Sequence, residues 1–538
     1  MLSGHRAPVR SSPVNRTPQQ LVADLETLLR PLELELAEAW WESNTRASAE
    51  ADARRSAADL ARRDALSDAG VFAALRAARE VDGLDPLVRR QLDVLFDMFA
   101  PHQIPDDLRR KLVEGETAVE ATFNTFRGEL DGEQVDDNAI LEILRTSDDS
   151  NLRRRAWETS KQIGAEVGEQ VRELAHLRNE AARALGYRDH FALALATGEM
   201  DEDRLLATLD EVDRYTAAPF SEWKAGVDTT LAARFACDVD DLRPWHLDEP
   251  FFQDPPVSGA LDLDPVFAPR DLEALTLRTY DGLALDVRAV LDRSDLYARD
   301  GKSQHAFCID MDRDGDVRVL CNVQPNERWA DTMLHEFGHG IYDREVRPDV
   351  PWLLRGAAHA LTTEGVAMLF GRLVRDPEWL ANVVELPASE LDELVPRLVE
   401  ARRAALLVFA RWVLVVTHFE HAFYADPEGD LNTLWWDLVE RYQLVRRPDG
   451  RNAPDWASKI HLAVVPVYYQ NYLYGELVAS QLDATLTAHA GGIVDRPEAG
   501  RFLVEEFFAP GATLRWDHLI EQATGEPLTA AHLARQLA

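Results

Sequence analysis

Apolar residues recur at three- and four-residue spacing along nearly the whole chain, and this helical period is the strongest constraint on its fold. The spacing runs from Leu21 to about Ala236, resumes over residues 271–291, and continues after Val323 to the C-terminus. Helices with this pattern bury one apolar face each against their neighbours. A mostly α fold is therefore predicted, with an irregular, proline-rich connection over residues 241–268.

One short stretch has a different texture, because β-branched and aromatic residues replace the helical spacing. Residues 304–311 and 317–323 flank the segment DRDGD at 312–316, which is typical of a β-hairpin with an Asp-Gly turn. The same acidic residues partly match a calcium-binding loop. Cys321, however, stands where such a loop needs a bidentate glutamate. The hairpin is therefore predicted, and calcium is disfavoured.

Charge and composition disfavour several classes of partner. The 538 residues include 94 acidic and 58 basic side chains, so the net charge is −36, which repels nucleic acid and anionic lipid. No nucleic-acid or membrane partner is expected, since the best apolar stretch, residues 404–419, is short and contains Arg411. Three cysteines cannot build a disulfide framework, which favours a cytoplasmic location. Residues 1–20 lack the apolar core of a secretion signal and are predicted to be a disordered extension.

Residues 331–340, DTMLHEFGHG, contain two histidines that a helix would place on one face. His335 and His339 are four residues apart, so both imidazoles can reach one metal ion. Glu336 follows the first histidine and is placed to take a proton from a water molecule at the metal and pass it on. The alternative is a pair of surface histidines beside a glutamate. The apolar face of the same segment argues against that alternative.

A third metal ligand is predicted on the next helix. Prolines after Val346 end the first helix, and a second helix is predicted to begin near Ala357. If the two helices are antiparallel, His339 and Glu364 lie about 10 Å from the turn on facing helices. Two histidines and one carboxylate leave a fourth position open, which is typical of catalytic zinc. One zinc ion per chain is therefore predicted, with His335, His339 and Glu364 as its ligands.

HEFGH followed by a glutamate twenty-five residues beyond its second histidine resembles the zinc peptidases of two related families, thimet oligopeptidase and angiotensin-converting enzyme. LRPW at 242–245 is similar to the thimet group, whereas residues 433–443, 458–461 and 151–187 are similar to converting enzyme. The resemblance covers about residues 140–480. It implies a single helical ellipsoid of two interleaved lobes, residues 21–538, around a deep cleft that admits short peptides, with the hairpin beside the zinc.

The resemblance also implies roles for residues outside the zinc helices. In that group a histidine and a tyrosine stabilise the oxyanion, and His461 and Tyr472 match them, the latter in VPVYYQNYLYGE after a one-residue adjustment. A core stripe of tyrosines is the alternative for this segment. Lys459, assisted by Tyr468 or Tyr469, matches the position that holds the terminal carboxylate of the substrate, although a solvent-facing lysine is the alternative. His305 matches a substrate-contacting strand.

Supporting residues differ from the pattern of these families. Met368 replaces a carboxylate one turn after the zinc glutamate, so Asp331 or Asp343 is expected to orient the histidines instead. His418 and His421 lie three residues apart in THFEH, but they offer too few ligands for a second metal, and a helix face is the simpler interpretation.

These observations favour a zinc-dependent peptidase acting on short peptides, as a peptidyl dipeptidase or an oligopeptidase. One alternative is a biosynthetic or maturation hydrolase that uses the same site on a specific amide or modified peptide. A second alternative is a non-catalytic peptide-binding protein. The presence of both histidines with Glu336 and Glu364 argues against this second alternative.

Overall fold

Helices make up most of the fold, as the apolar spacing predicts. The structure, a computed structural model, describes residues 16–256 and 261–537. The helices before the second hairpin are α1 (Pro18–Thr45), α2 (Ala49–Leu66), α3 (Ala69–Arg79), α4 (Pro86–Phe99), α5 (Asp106–Thr125), α6 (Asp137–Thr146), α7 (Ser150–Ser160), α8 (Gln162–Ala184), α9 (His190–Thr197), α10 (Glu202–Phe235), α11 (Asp264–Phe267), α12 (Leu272–Gly282) and α13 (Arg288–Leu291). Those after it are α14 (Glu327–Glu345), α15 (Ala360–Gly371), α16 (Pro377–Asn382), α17 (Ala388–Ala425), α18 (Leu431–Gln443), α19 (Ile460–Val464), α20 (Tyr469–Ala490), α21 (Pro497–Phe502), α22 (Trp516–Thr524) and α23 (Ala531–Leu537). The strands are β1 (Gly128–Leu130), β2 (Glu133–Val135), β3 (Phe307–Asp310) and β4 (Val317–Leu320).

The first helix begins inside the segment that was predicted to be a disordered extension. Thr17 Oγ1 accepts the N–H of Gln20, and Gln20 Oε1 accepts the N–H of Thr17 at 3.0 Å. This reciprocal capping box, with Pro18 in the first helical position, starts α1 three residues before Leu21. The remainder of the predicted extension, residues 1–15, lies outside the described residues.

The prediction of helix almost throughout residues 21–236 is wrong at one place. β1 and β2 pair antiparallel between α5 and α6. Asp131 and Gly132 join them with φ angles of 55° and 88°, and two positive φ angles define a hairpin turn that favours Asp-Gly. The dipeptide was a usable signal, but strands of three residues are too short to show alternation.

The predicted hairpin within residues 304–323 is present and packs against α14. β3 pairs antiparallel with β4. The acidic residues close the turn themselves, since Asp310 Oδ1 accepts the N–H of Arg313 at 2.8 Å and Asp312 Oδ1 accepts that of Asp314 at 2.8 Å. The spacing that resembles a calcium loop therefore has a direct role in folding the turn.

α15 lies between α14 and α20, and glycines allow the three helices to approach closely. A Cβ atom at Gly338 would lie 3.0 Å from the Cα of Ala367, and one at Gly365 would lie 2.4 Å from Val478 Cγ1. Larger side chains at these two positions would push the helices apart. The close contact fixes α15 against both neighbours.

Hydrophobic side chains form two separate clusters among the described residues. The smaller cluster joins α1, α2, α3 and α4 with Trp352 and Leu353, and the larger one fills the rest of the fold. Trp40 and Trp41 of α1 contact Phe307 edge-on, with ring centroids 6.2 Å apart in both pairs. A cavity of about 520 Å³ lies between α1 and β3. Trp352 of the smaller cluster and Cys308, which packs against the larger one, both line this cavity.

The most apolar stretch, residues 404–419, lies inside α17 as a buried segment. Arg411 is 4% exposed, and its Nε donates to the carbonyl oxygen of Tyr442 at 2.6 Å. Over the part of the chain that the structure describes, no helix combines the length and the apolarity that crossing a bilayer requires.

Candidate metal centre

The three predicted metal ligands converge between α14 and α15. The Nε2 atoms of His335 and His339 are 3.3 Å apart, and Glu364 Oε2 lies 3.7 Å and 4.0 Å from them. A tetrahedral zinc ion with bonds of about 2.0–2.1 Å needs ligand atoms separated by about 3.3 Å. Within residues 16–256 and 261–537, these three form the group of His, Cys, Asp or Glu side chains whose ligand atoms lie close enough together to bind one metal ion. Their chemistry and spacing therefore fit zinc.

The ends of the two helices explain how the chain brings these ligands together. α14 ends at Glu345, one residue before the predicted end, but α15 begins at Ala360, three residues later than predicted. The difference arises because His359 caps α15, with its Nδ1 accepting the N–H of Leu361 at 3.1 Å. Glu364 consequently lies near the start of α15.

Burial keeps both ligand histidines neutral. It lowers the pKa of His335 to about 4 and that of His339 to about 3, and metal binding requires the neutral form. Thr363 Oγ1 lies 2.6 Å from His339 Nδ1, so an Nδ1–H donating to Thr363 leaves Nε2 free for the metal. The prediction that Asp331 or Asp343 would orient this histidine is wrong.

Glu336 is held by the main chain of the hairpin. Its side chain is buried, and its carboxylate accepts a hydrogen bond from the N–H of Cys308 in β3. Burial, together with the nearby charge of Glu364, raises the pKa of Glu336 to about 8. A carboxyl group with a pKa near neutrality can both take and release a proton. The hairpin therefore positions this group beside the metal ligands.

Two tyrosines lie near the start of α20, the helix that packs against Glu364 through Gly475. Burial, and then the neighbouring carboxylate of Glu364, raises the pKa of Tyr468 and raises that of Tyr472 to about 12. Their ring centroids are 5.2 Å apart. Phenols that keep their protons can donate hydrogen bonds to an oxyanion. Tyr468 was missed at this centre, although its four-residue spacing from Tyr472 was a signal that they share a helix face.

Tyr469, His461 and Lys459 form a neighbouring group. The rings of His461 and Tyr469 are 4.9 Å apart, and burial together with the charge of Lys459 lowers the pKa of His461 to about 4. Lys459 Nζ donates to Gln253 Oε1 at 2.9 Å and lies 5.6 Å from the Tyr469 ring. Lys459 is 9% exposed, so the solvent-facing alternative is wrong. Gln253 was missed because it lies in the irregular segment before the hairpin.

His305 is the predicted site residue that the structure leaves apart from these buried groups. It is exposed in the loop that leads into β3, and the strand itself begins two residues later, at Phe307. The strand instead contributes through the main chain of Cys308. The placement of His305 gives its predicted contact with substrate no support.

Comparison with known proteins gives two family matches on different parts of the chain. The model of Peptidase family M3 matches residues 291–538, which contain the metal ligands. The model described as Angiotensin-converting enzyme matches residues 14–231.

Two related proteins match shorter stretches. The Angiotensin-converting enzyme-related protein of Drosophila melanogaster is 24% identical over 242 residues, or 41% of this chain and 38% of that protein. The Inactive angiotensin-converting enzyme-related protein of Caenorhabditis elegans is 23% identical over 181 residues, or 32% of this chain and 20% of that protein. The chain thus spans well under half the length of either relative. In sequence, one part of the chain is therefore similar to Peptidase family M3 and another part to Angiotensin-converting enzyme.

Proposed function

We propose that this protein is a zinc-dependent peptidase that hydrolyses short peptides. The observation that carries the proposal is the convergence of His335, His339 and Glu364 on one point. Glu336 follows His335 on α14, and Tyr472 lies on α20, the helix that packs against α15. A zinc ion held there would supply Lewis-acid chemistry, which polarises the scissile carbonyl group and acidifies water.

The side chains around this point have complementary roles in the proposed reaction. Glu336 takes a proton from the attacking water and later gives it to the leaving amine, for which its raised pKa suits it. Tyr472 donates a hydrogen bond to the oxygen of the scissile carbonyl as negative charge develops on it, with Tyr468 and His461 nearby. Tyr472, Tyr468 and His461 are uncharged, so each can donate a hydrogen bond to the developing oxyanion.

The proposed substrate path is a cleft between two lobes. The cavity between α1 and β3 and a second cavity of about 530 Å³, which Asp97, Asp343 and His359 help to line, lie beside β3 and α14, and none of the metal ligands lines either cavity. Cavities of this size accommodate a few residues of extended chain but not a folded domain.

A cytoplasmic location is proposed as well, on the basis of the free cysteines Cys237, Cys308 and Cys321.

The direct test is mass-spectrometric mapping of cleavage sites in a mixed peptide library, with and without a zinc chelator. Chelator-sensitive cuts across many short peptides are expected. Cleavage of one modified peptide or amide alone would instead favour a biosynthetic hydrolase. No chelator-sensitive product from any peptide in zinc-loaded protein would contradict a peptidase.

Replacing Tyr472 with phenylalanine is expected to lower kcat strongly and to change KM little. The hydroxyl matters mainly once charge develops, and loss of one such donor costs about 2.7–4 kcal/mol in comparable sites. Steady-state kinetics on one fluorogenic peptide measures both constants. Tyr469→Phe is the matched control, because that ring lies beside His461 instead. If Tyr469→Phe shows the larger loss, the assignment of Tyr472 is wrong.

Lys459 is expected to select peptides with a free C-terminal carboxylate. Its buried ammonium lies near the Gln253 amide, and a charge-assisted hydrogen bond is worth about 1.5–3 kcal/mol. That energy predicts a preference of roughly ten- to a hundred-fold for a peptide acid over its C-terminal amide. Comparing kcat/KM for the acid and the amide on wild type and on Lys459→Ala measures it. Equal rates on wild type would leave an oligopeptidase without this selection.

A further inference from the structure

Val467, in the turn between α19 and α20, has a strained backbone. Its φ angle is 55° and its side chain is 6% exposed. A β-branched residue in the left-handed region is a genuine outlier. Such conformations persist only where the surroundings hold them, and they gather at functional sites. Val467 directly precedes Tyr468 and α20, the helix that carries Tyr472 and packs against Glu364 through Gly475.

Both main-chain polar groups of Val467 are bonded to buried side chains. Glu420 Oε1 of α17 accepts the N–H of Val467 at 2.7 Å, and Gln470 Nε2 donates to its carbonyl oxygen at 2.7 Å. Glu420 and Gln470 are each 2% exposed. A buried carboxylate that bonds to a main-chain N–H in a strained turn fixes the direction in which the chain leaves that turn.

A second buried charge holds the same segment at its other end. Arg178 Nη2 of α8 donates to the carbonyl oxygen of Ala463 at 2.6 Å. Burial raises the pKa of Glu420 to about 8, while the hydrogen bond from the Val467 N–H and the charge of Arg178 act against that rise. His461 lies just before this segment and Tyr468 just after it. The segment between these two residues is therefore fixed from two different helices.

We propose that Glu420 is a positioning residue for the peptidase reaction. By holding Val467 in the left-handed conformation, it sets the direction in which Tyr468 and Tyr472 reach the metal centre. The inference rests on the proposed function, because that function gives Tyr472 its role. Glu420 acts through the turn and does not itself contact the substrate.

Glu420→Leu tests this role, since it removes the acceptor and keeps the site apolar. With zinc bound, kcat is expected to fall by about 10²-fold, because displacement of a catalytic group by about 1 Å has that effect, while KM stays within about twofold. Adding Val467→Gly is expected to recover at least about tenfold, since glycine adopts positive φ without strain. Thr417→Val is the matched control on α17, where the buried hydroxyl has no hydrogen-bond partner among the described residues.

Two outcomes would overturn the positioning role. One is an unchanged kcat in Glu420→Leu, and the other is a loss that Val467→Gly does not relieve. If Glu420→Leu does not fold, Val467→Pro and Val467→Gly replace it. Proline fixes φ near −65° and removes the N–H, whereas glycine allows the positive φ and retains the N–H. A loss of about 10²-fold for proline but not for glycine supports the role. Equal kcat values for the two variants oppose it.

The two hypotheses can fail separately. A zinc-loaded wild type that cleaves no peptide removes the proposed function. Crystal structures of wild type and Glu420→Leu then decide the positioning role. A negative φ at Val467 with a displaced Tyr472 hydroxyl group supports it, and an unmoved hydroxyl group overturns it.

Discussion

Replacing Glu336 with glutamine is expected to abolish most turnover while zinc stays bound. The side chain is not among the converging ligands, so the variant should keep about one zinc per chain, as a site of three protein ligands requires. Glutamine cannot take a proton from water, and a general acid–base group typically contributes about 10²–10⁴-fold. One carboxyl serves both proton transfers here, so the loss should lie in the upper part of that range. Zinc analysis and kcat on a fluorogenic peptide measure the two properties.

Glu345→Gln provides the matched control for this experiment. It makes the same chemical change on the last turn of α14, nine residues from Glu336, and should leave both zinc content and kcat unchanged. Near-normal turnover by a zinc-loaded Glu336→Gln protein would rule out the proposed proton transfers. Loss of zinc from that variant would show instead that Glu336 supports the metal.

Replacing His335 with alanine is expected to remove the zinc and with it all chelator-sensitive cleavage. Only two protein ligands, His339 and Glu364, would then remain, whereas catalytic zinc sites have three. Zinc at about 1,000 times its Kd stabilises a folded protein by about 4.1 kcal/mol. Denaturant unfolding with and without zinc should show this gain in wild type and lose it in the variant.

His421→Ala is the matched histidine control. His421 Nε2 pairs with Glu202 Oε1 at 3.0 Å, so its loss should leave the zinc content at the wild-type value. A fall in zinc content in His421→Ala would reveal a second site in THFEH. Full zinc occupancy in His335→Ala would contradict the assigned centre.

The side chains of the candidate site whose proximity could be predicted from sequence are those whose geometry is local. His335 and His339 follow from the helical repeat alone, because four residues place two side chains on one face. Glu364 needed one further assumption, an antiparallel helix pair, and that pair forms even though α15 begins three residues later than predicted. The error did not matter, because the ligand position depends on the distance between helices more than on where the cap falls.

The residues that sequence could not supply act across long separations in the chain. Glu420 meets Val467 from another helix, and no local pattern encodes either the contact or the positive φ. Thr363 is adjacent to a predicted ligand, yet its bond to His339 depends on how α15 is rotated against α14. The burial of Lys459 likewise depends on packing between distant segments, so it could be expected only from the resemblance, since most lysines are exposed.

The separation of the two hydrophobic clusters has a consequence for motion. The cavity beside β3 is lined by Trp352, which belongs to the smaller cluster, and by Cys308, which packs against the larger one. Protein interiors resist changes in packing, but the spacing between two interiors can change while each stays intact. Hydrogen exchange in α1–α4 should therefore report openings of lower free energy than those of α14 and α15. The proposed substrate cavity can then widen at the expense of the junction between the clusters, without any cost to α14 and α15, which carry the proposed metal ligands.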